Sequence, residues 1–253
     1  MAYTQYIYRF EESVEYEYHY AGQYGSSGEK RAKRNKPTPE AVKRHNQKLK
    51  AIKVRRLIKA NFKKFDYFIT IKYPRGTRKA LEEVQKDIKG FITSLRGKYK
   101  RRGKELKFIY RLEIGARGGI HCHMILPRIA EGDILIQDSW KHGRINFQNM
   151  YEDVDQLAAY MVKEPSDEIQ KQLSLFDEDE RRQLIKYSSS RNLIRPQPEK
   201  KRFSRWTLRK IIEQGPQAHK GYYIDRSSVK CGISQWTGMS YLYYTEILIK
   251  EIR

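Results

Sequence analysis

The sequence predicts an α+β fold in which helices cover the faces of a central antiparallel sheet. Strand-like and helix-like segments follow one another as β-α-β-β-α-β-α between residues 66 and 164. The strands show apolar residues at every second position, and the helices show them three or four residues apart. A glycine-rich turn joins the two middle strands, which makes them an antiparallel hairpin. This order is compatible with a ferredoxin-like or RRM-like topology arranged around that hairpin.

The composition predicts a protein with a polyanionic partner. The chain has 253 residues and a formal net charge of +22, and a charge of this size favours nucleic acid as the partner. Cys122 and Cys231 are its only cysteines, too few for a disulfide framework, so we expect a reducing, cytoplasmic environment. The N-terminus lacks the layout of a signal peptide. No apolar run approaches the roughly 18 residues that a membrane span needs, so we expect no membrane partner.

Residues 1–64 are predicted to form two short strands and a basic helix that pack on the core. The strands cover Gln5–Phe10 and Ser13–Tyr20, where side chains alternate in character. In Thr38-Pro39-Glu40, threonine can cap a helix whose first residue is proline. We expect this helix to reach about Asn61, with an inward side made of Val42, Leu49, Ile52 and Leu57.

The segment from Lys30 to Lys64 contains fifteen Lys or Arg and one acid, Glu40. Because this charge has almost no acidic partner within the segment, it favours binding to a phosphate backbone over a merely solvated helix face. We expect DNA binding to depend steeply on salt and to weaken when charge is reversed at Arg55 and Arg56. The predicted DNA-contacting cations are Arg55, Arg56, Lys72, Arg111, Arg144 and Arg191.

Residues 65–199 are predicted to be the core, which begins with the strongest strand of the sequence, Phe65–Tyr73. Its odd-numbered residues from Tyr67 to Tyr73 share one face, and Phe68, Thr70 and Lys72 share the other. A helix from about Arg78 to Lys100 follows. We expect its apolar stripe to pack against the sheet; the stripe consists of Leu81, Val84, Ile88, Phe91, Ile92, Leu95 and Tyr99.

The hairpin runs from Tyr110 to Leu126 and turns at Gly115–Gly119. If Ile114 pairs with Ile120, the numbers of paired residues sum to 234, and Glu113 lies opposite His121. Because successive side chains of a strand point to opposite faces, the predicted register fixes which residues share a side. One face then carries Arg111, Glu113, His121 and His123.

Three of these residues are potential ligands and define a candidate metal site. Directly opposed Cβ atoms in a sheet are roughly 5 Å apart and diagonal ones about 7–8 Å, so His121, His123 and Glu113 can reach one divalent ion. Three protein ligands with open positions are what a catalytic metal needs. The alternative, two polar histidines on a solvated face, stays open from this pattern alone.

Beyond the hairpin we predict a short helix at Asp133–His142, a short strand at Arg144–Gln148 and a helix at Asp153–Glu164. Residues 166–186 are either a mobile insertion or another helix. Residues 200–253, with further strand-like runs, are expected to form an extension of the same domain.

The helix at Asp153–Glu164 carries the second half of the chemistry. Tyr160 projects outside the apolar arc of this helix, and Lys163 stands beside it, one turn along. The arc consists of Val154, Leu157, Ala158, Met161 and Val162. A metal can polarise a scissile phosphate that the tyrosine hydroxyl attacks, while Lys163 offsets developing charge or lowers the pKa of the phenol. The expected product is a protein–DNA phosphotyrosyl ester and a free 3′-hydroxyl.

These motifs resemble a known family. Gly119-Ile-His-Cys-His-Met-Ile125 resembles the His-hydrophobe-His motif of the HUH endonuclease superfamily, with Cys122 where a bulkier apolar residue usually stands. Tyr160-Met-Val-Lys163 resembles the nucleophile motif of single-tyrosine rolling-circle replication initiators, and Phe68-Ile-Thr-Ile71 resembles their first strand motif. The wider layout is similar to replication-associated proteins of plasmids, phages and integrative elements.

The resemblance implies an HUH-like α+β fold and the nicking and joining of DNA at a replication origin. It implies Mg²⁺ or Mn²⁺ as cofactor and single-stranded or hairpin origin DNA as substrate. Its residue roles carry over as Tyr160 for the nucleophile, Lys163 for its partner, and His121, His123 and Glu113 for the metal ligands. Because no Walker A sequence occurs, we expect the host cell to supply the helicase.

Three alternatives remain from the sequence. A relaxase or single-strand transposase would perform the same nicking, although relaxases usually carry their tyrosine near the N-terminus and a third histidine. A basic DNA-binding module without catalysis would explain the charge and the aromatic residues. A metal-free two-histidine phosphoesterase is disfavoured because it needs two separate His-x-Thr or His-x-Ser strands, whereas one pair of histidines of this kind occurs here.

Overall fold

The computed structural model describes residues 3–20, 32, 33, 36–115, 117–150, 153–203 and 208–249. The chain divides into two compact units. Residues Asn46–Ile194 form what we term the core unit, and residues Met1–His45 together with Arg195–Arg253 form the flanking unit. These divisions differ from the segment boundaries expected at 64/65 and 199/200. That residues 1–64 and 200–253 pack on the core stays a prediction.

The described elements confirm the predicted α+β class and the order of strands and helices. The strands are β1 (Tyr3–Arg9), β2 (Ser13–Tyr20), β3 (Tyr67–Lys72), β4 (Ile109–Ile114), β5 (Ile120–Leu126), β6 (Arg144–Asn149), β7 (Tyr187–Ser189), β8 (Glu199–Phe203), β9 (Tyr222–Ile233) and β10 (Ser240–Leu248). The helices are α1 (Pro39–Asn61), α2 (Leu81–Arg101), α3 (Gly132–Ser139), α4 (Val154–Met161), α5 (Asp167–Leu173), α6 (Glu178–Ile185) and α7 (Leu208–Gln214). Among the helices of these residues, none combines the length and apolarity that a membrane crossing needs.

The core unit is built on a five-stranded antiparallel sheet in the order β6-β3-β5-β4-β7. On one face, the predicted stripe of α2 is buried against Tyr67, Ile69 and Ile71, together with residues of α3, α5 and α6. On the other face, α4 and the C-terminal half of α1 pack on Phe68, Ile109 and Ile125. Helices on both faces exclude water from the centre of the sheet.

Helix α1 begins as predicted but buries different residues. The backbone N–H of Ala41 donates to Thr38 Oγ1 at 3.2 Å, which is the expected cap. Of the four side chains expected to point inward, Leu57 is buried, whereas Leu49 is 50% exposed and Val42 and Ile52 are half-buried. The prediction of that inward set was therefore wrong, because the helix buries a different arc, formed by Val54, Leu57 and Ile58 and continued by Phe62 just beyond its end.

The flanking unit has its own five-stranded antiparallel sheet, in the order β8-β1-β2-β10-β9. One face carries a cluster of tyrosines and aliphatic residues that includes Leu208 of α7. The strands of residues 5–20 are thus confirmed, and they pair with strands from beyond residue 198. Of the predicted basic segment, Lys30, Arg31 and Arg34 lie outside the described residues.

Candidate functional site

The hairpin of β4 and β5 has the predicted register. Glu113 pairs with His121, Ile114 with Ile120 and Arg111 with His123. The side chains of Leu112, Cys122 and Met124 lie in the cluster beneath α2. The opposite face of the sheet, which carries Thr70, Glu113 and the two histidines, is called the histidine face below.

Tyr160 of α4 meets two of the predicted ligands on the histidine face. Its hydroxyl donates to Glu113 Oε2 at 2.9 Å and lies 3.0 Å from His123 Nε2. The same atoms of His123 and Glu113 are 2.9 Å apart. Three polar atoms from β4, β5 and α4 therefore converge on one point, as the sequence required for a tyrosine that acts beside a metal site.

His123 is held rigidly in this cluster. The residue is 8% exposed, and its Nδ1 lies 3.2 Å from Oγ1 of the buried Thr70 on β3. The rings of Phe68 and His123 stack at 6.0 Å, and Tyr160 meets both edge-on. Since Nδ1 contacts Thr70, Nε2 is the nitrogen directed at Tyr160 and Glu113, and the contact with Thr70 fixes the orientation of the ring.

Glu113 is kept ionised at neutral pH. The hydrogen bond from His123 lowers the pKa of Glu113 to about 2, and the bond from Tyr160 and the positive charge of Arg111 act in the same direction, although burial opposes them. A carboxylate that stays charged in a partly buried site is a suitable acceptor for a phenol proton or a ligand for a cation.

Arg111 anchors the helix that presents Tyr160. Its guanidinium is buried, with 3% of the residue exposed, and Nη1 donates to the backbone carbonyl of Tyr160 at 2.9 Å. A cation at the C-terminal end of a helix satisfies a carbonyl that has no partner within the helix and interacts favourably with its dipole. Arg111 therefore helps to determine where the Tyr160 hydroxyl lies.

His121 shares the face but not the hydrogen-bonded cluster. Its half-buried ring makes no hydrogen bond to any other residue described in the structure, and it packs over the turn. A Cβ on Gly115 would come within 2.9 Å of His121 Cε1, so glycine is required there for the ring to occupy this place. Burial and then the nearby charge of Lys72 lower the pKa of His121, which favours the neutral form that can ligate a metal.

The site fits a divalent cation in part. In the portion of the chain that the structure describes, no group of three His, Cys, Asp or Glu side chains is arranged to hold a metal ion. Two of the predicted ligands do come together, and their atoms form a triangle with Tyr160 Oη whose edges are 2.9–3.0 Å. Adjacent ligands of an octahedral ion bound at about 2.1 Å are separated by about 3 Å. The spacing of carboxylate and imidazole therefore suits Mg²⁺ or Mn²⁺, with His121 close by on the same face.

Lys163 lies outside the predicted helix. Helix α4 ends at Met161, so the expectation that it reaches Glu164 was wrong, and Val162 leaves helical geometry as the C-terminal cap. The exposed Lys163 nevertheless remains near Tyr160, since its N–H donates to the Tyr160 carbonyl at 3.2 Å. Arg111, Glu113 and Lys163 line one cleft beside the site, so the lysine stays within reach of a bound anion.

The predicted DNA-contacting cations occupy different environments. Lys72 and the exposed Arg144 pair across β3 and β6 on the histidine face, and Arg191 is exposed after β7. Arg55 donates to Asp155 at 2.8 Å with 18% of its side chain exposed. Arg56 and Arg111 are buried, with 9% and 3% exposed. A phosphate could not reach these two without rearrangement, so we leave Arg56 and Arg111 out of the proposed interface.

Thr70 is a site residue that sequence reasoning did not assign. A signal was present, because the alternation of β3 already placed Thr70 on the opposite face from Tyr67. What the sequence lacked was the pairing of β3 with β5, which sets Thr70 against His123.

The fold and the site together define an α+β protein whose His-x-His strand faces a tyrosine-bearing helix, an arrangement consistent with an HUH-like fold. A family model of replication-associated proteins, those of the ORF2 type, matches residues 66–165. This range contains β3 to β6, α4 and every residue of the cluster around Tyr160. No curated protein and no solved structure matches the chain significantly.

Proposed function

We propose that the protein cuts and rejoins one DNA strand at a replication origin through a covalent tyrosyl intermediate. The observation that carries this proposal is the position of the Tyr160 hydroxyl, 3.0 Å from His123 Nε2 and 2.9 Å from Glu113 Oε2. A tyrosine meant only for packing would have no reason to direct its hydroxyl at a charged carboxylate and an oriented imidazole.

The proposed step is a transesterification. The Tyr160 oxygen attacks the phosphorus of the scissile phosphodiester, and the bond from phosphorus to the 3′ oxygen breaks. The phenol proton passes to the Glu113 carboxylate that accepts its hydrogen bond, and the departing oxygen takes up a proton to become a free 3′-hydroxyl. One fragment remains joined to Tyr160 through its 5′-phosphate. Attack by a 3′-hydroxyl on this ester restores the phosphodiester and the tyrosine.

Glu113 and His123, with His121 as the third ligand, would hold Mg²⁺ or Mn²⁺. Such an ion supplies Lewis-acid stabilisation of the negative charge that develops on the phosphate. Thr70 orients His123 for this role, and Arg111 holds Tyr160 in place. Lys163, in the same cleft as Glu113, offsets charge on the phosphate oxygens.

The match to replication-associated proteins supports rolling-circle initiation as the setting for this chemistry. A free 3′-hydroxyl at the nick can prime synthesis, and the tyrosyl ester stores the bond energy needed for joining. Single-stranded or hairpin origin DNA is the proposed substrate, and a host helicase is the proposed source of unwinding. A relaxase or transposase of a mobile element would use the same cluster.

The decisive experiment is a covalent-adduct assay. Protein, Mn²⁺ and a randomised single-stranded DNA library labelled at the 3′ end are mixed and separated on an SDS gel. The label is placed at the 3′ end because the fragment joined to Tyr160 retains that end. We expect a labelled band at the mass of the protein plus DNA, and we expect sequencing of the bound DNA to return one preferred cleavage site.

The adduct should disappear in Tyr160→Phe and persist in Tyr223→Phe, a control at a tyrosine that is 50% exposed in the flanking unit. EDTA, His121→Ala and His123→Ala should each abolish the adduct while leaving much of the DNA affinity. DNA binding with no adduct under any of these conditions would instead identify a basic DNA-binding protein without catalysis.

A further inference from the structure

A second cleft lies on the core unit, on the face of the sheet opposite the histidine face. Its volume is about 420 Å³, and it is lined by Tyr67, Arg128, Asp133, Gln137, Phe147 and Gln148. Tyr67 and Phe147 belong to the side of the sheet that packs against α2. None of these residues takes part in the cluster around Tyr160, so the cleft has no role in the chemistry described above.

The wall of this cleft is preorganised. The Arg128 guanidinium lies 4.2 Å above the Tyr67 ring, its Nε donates to the carbonyl of Phe65, and its backbone N–H donates to Asp66 Oδ1 at 2.7 Å. The Tyr67 and Phe147 rings meet edge to face at 5.7 Å. These contacts restrain the cation and both rings before any ligand arrives, which reduces the entropy lost on binding.

The polar groups of the cleft suit the edge of a nucleobase. Asp133 and Gln137 are exposed and lie four residues apart on α3, so their side chains are neighbours on one helix face. Carboxylates accept from the amino group of cytosine, and glutamine amides can pair with adenine. Phe147 offers an apolar ring for a base to contact. Arg128 places a positive charge beside them that can face a phosphate.

The cleft is also placed on a path that leads from the histidine face. Strand β6 is an edge of the sheet, and its side chains alternate between the two faces. Arg144 and Asn146 pair with Lys72 and Thr70 of β3, whereas Phe147 turns toward the cleft. His123 and β6 are separated by two strand spacings, about 10 Å. A single strand that crosses from the nicking site over this edge reaches the cleft within a few nucleotides.

We propose that this cleft receives one base of the single-stranded DNA that flanks the cleaved phosphate, and that it prefers bases carrying an amino group. The inference rests on the proposed function for the identity of the strand. Thymine, which lacks an exocyclic amino group, should be the weakest occupant because it offers no such donor to Asp133.

Fluorescence anisotropy with labelled 20-nucleotide homopolymers tests this proposal. Oligo(dA), oligo(dC) and oligo(dT) are titrated with the protein in EDTA, so that cleavage plays no part and the outcome does not depend on the adduct assay. We expect Phe147→Ala to weaken binding of oligo(dA) and oligo(dC) about fivefold or more, the loss expected for one stacked base. Gln137→Ala is a second variant, at an exposed position where folding is unaffected. It should weaken oligo(dA) binding more than oligo(dT) binding.

Base selectivity separates recognition from a general loss of structure. In Asp133→Asn, the preference for oligo(dC) over oligo(dT) should fall at least about threefold, because a neutral amide accepts more weakly than a carboxylate. Ile134→Ala, next to Asp133 and 55% exposed, is the matched control and should change neither affinity nor preference. Equal binding of the three homopolymers by the wild-type protein, or a preference that Asp133→Asn leaves unchanged, would overturn the proposal.

Discussion

Arg111 illustrates how a residue expected at a surface can instead act from the interior. The alternation of β4 placed it correctly on the histidine face, but α4 covers that part of the face and leaves 3% of the residue exposed. Its charge is used to hold the Tyr160 carbonyl. A buried cation with a defined acceptor is costly to truncate, because the acceptor then loses its partner.

We predict that Arg111→Met lowers the free energy of unfolding by about 1.5–3 kcal/mol, the range for a hydrogen bond that involves a charged group. It should also reduce the rate of adduct formation, since α4 loses the anchor at the residue that attacks. Urea denaturation and the adduct assay measure the two effects. Arg144→Met, at an exposed position of β6, should change stability by less than about 0.5 kcal/mol; similar losses in both variants would contradict the anchoring role.

Asp87 is a second residue whose environment makes a testable difference. Burial would raise the pKa of Asp87, but hydrogen bonds from Lys79 at 2.6 Å and Tyr73 at 2.8 Å, together with the charge of His142, lower it overall. A lowered folded-state pKa means that the stabilisation is complete above the ordinary carboxyl pKa. It is lost as the pH falls through the folded-state value.

The urea midpoint of the wild-type protein should therefore fall on acidification between about pH 5 and pH 2 more than that of Asp87→Asn. Other carboxylates titrate in both proteins, so the difference between the two curves isolates Asp87. Parallel curves across this range would show that the contacts of Asp87 contribute no linkage.

Among the elements, α4 is the one on which the proposed chemistry depends. It has only eight residues, and the Asp153 side chain caps it by accepting from the Gln156 N–H at 3.1 Å. So short a helix has little stability of its own and depends on this cap and on packing against β3, β4 and β5.

Asp153→Ala should lower the free energy of unfolding by about 0.5–2 kcal/mol, whereas Asp153→Asn, which retains a capping oxygen, should restore most of it. Thermal or urea denaturation measures this. A cap that also positions Tyr160 should show the same ranking in adduct formation. If Asp153→Ala lost stability but kept the wild-type adduct rate, α4 would be held by packing alone.

The helices also show where sequence patterns are sufficient. The stripe of α2 has one orientation that buries all seven predicted residues, and all seven are buried. Helix α1 has a weaker pattern because basic residues interrupt its apolar positions. Its buried arc is therefore chosen by the neighbours on the sheet, Phe68, Ile109 and Ile125. The early end of α4 was likewise not signalled, since Val162 and Lys163 are compatible with a helix.

At the scale of the whole molecule, the net charge of +22 remains the main determinant of nonspecific affinity. Binding to single strands releases counterions from neutralised phosphates, so the logarithm of the affinity should fall linearly with the logarithm of the salt concentration. The contribution of each residue depends on whether it is exposed. The effect expected of charge reversal therefore moves from the buried Arg56 to exposed cations of the histidine face.

We predict that Arg144→Glu reduces the steepness of the salt dependence by about one phosphate contact. Lys100→Glu, an exposed cation on α2 on the opposite side of the sheet, is the matched control with the same change in net charge. Equal effects of the two variants would mean that overall charge, and not a path across the histidine face, governs binding.

By itself, the sequence determined the α+β class, the hairpin register, the face shared by Glu113 and the two histidines, and Tyr160 as the residue outside the packing arc of its helix. These properties follow from local periodicity and turn chemistry, which act over a few residues. Only the tertiary structure decided that Tyr160 reaches His123 and Glu113, that Thr70 supports His123, and that Arg111 is an internal anchor. Those contacts join residues 37 to 53 positions apart, and such distances are set by which strands pair and which helix covers them.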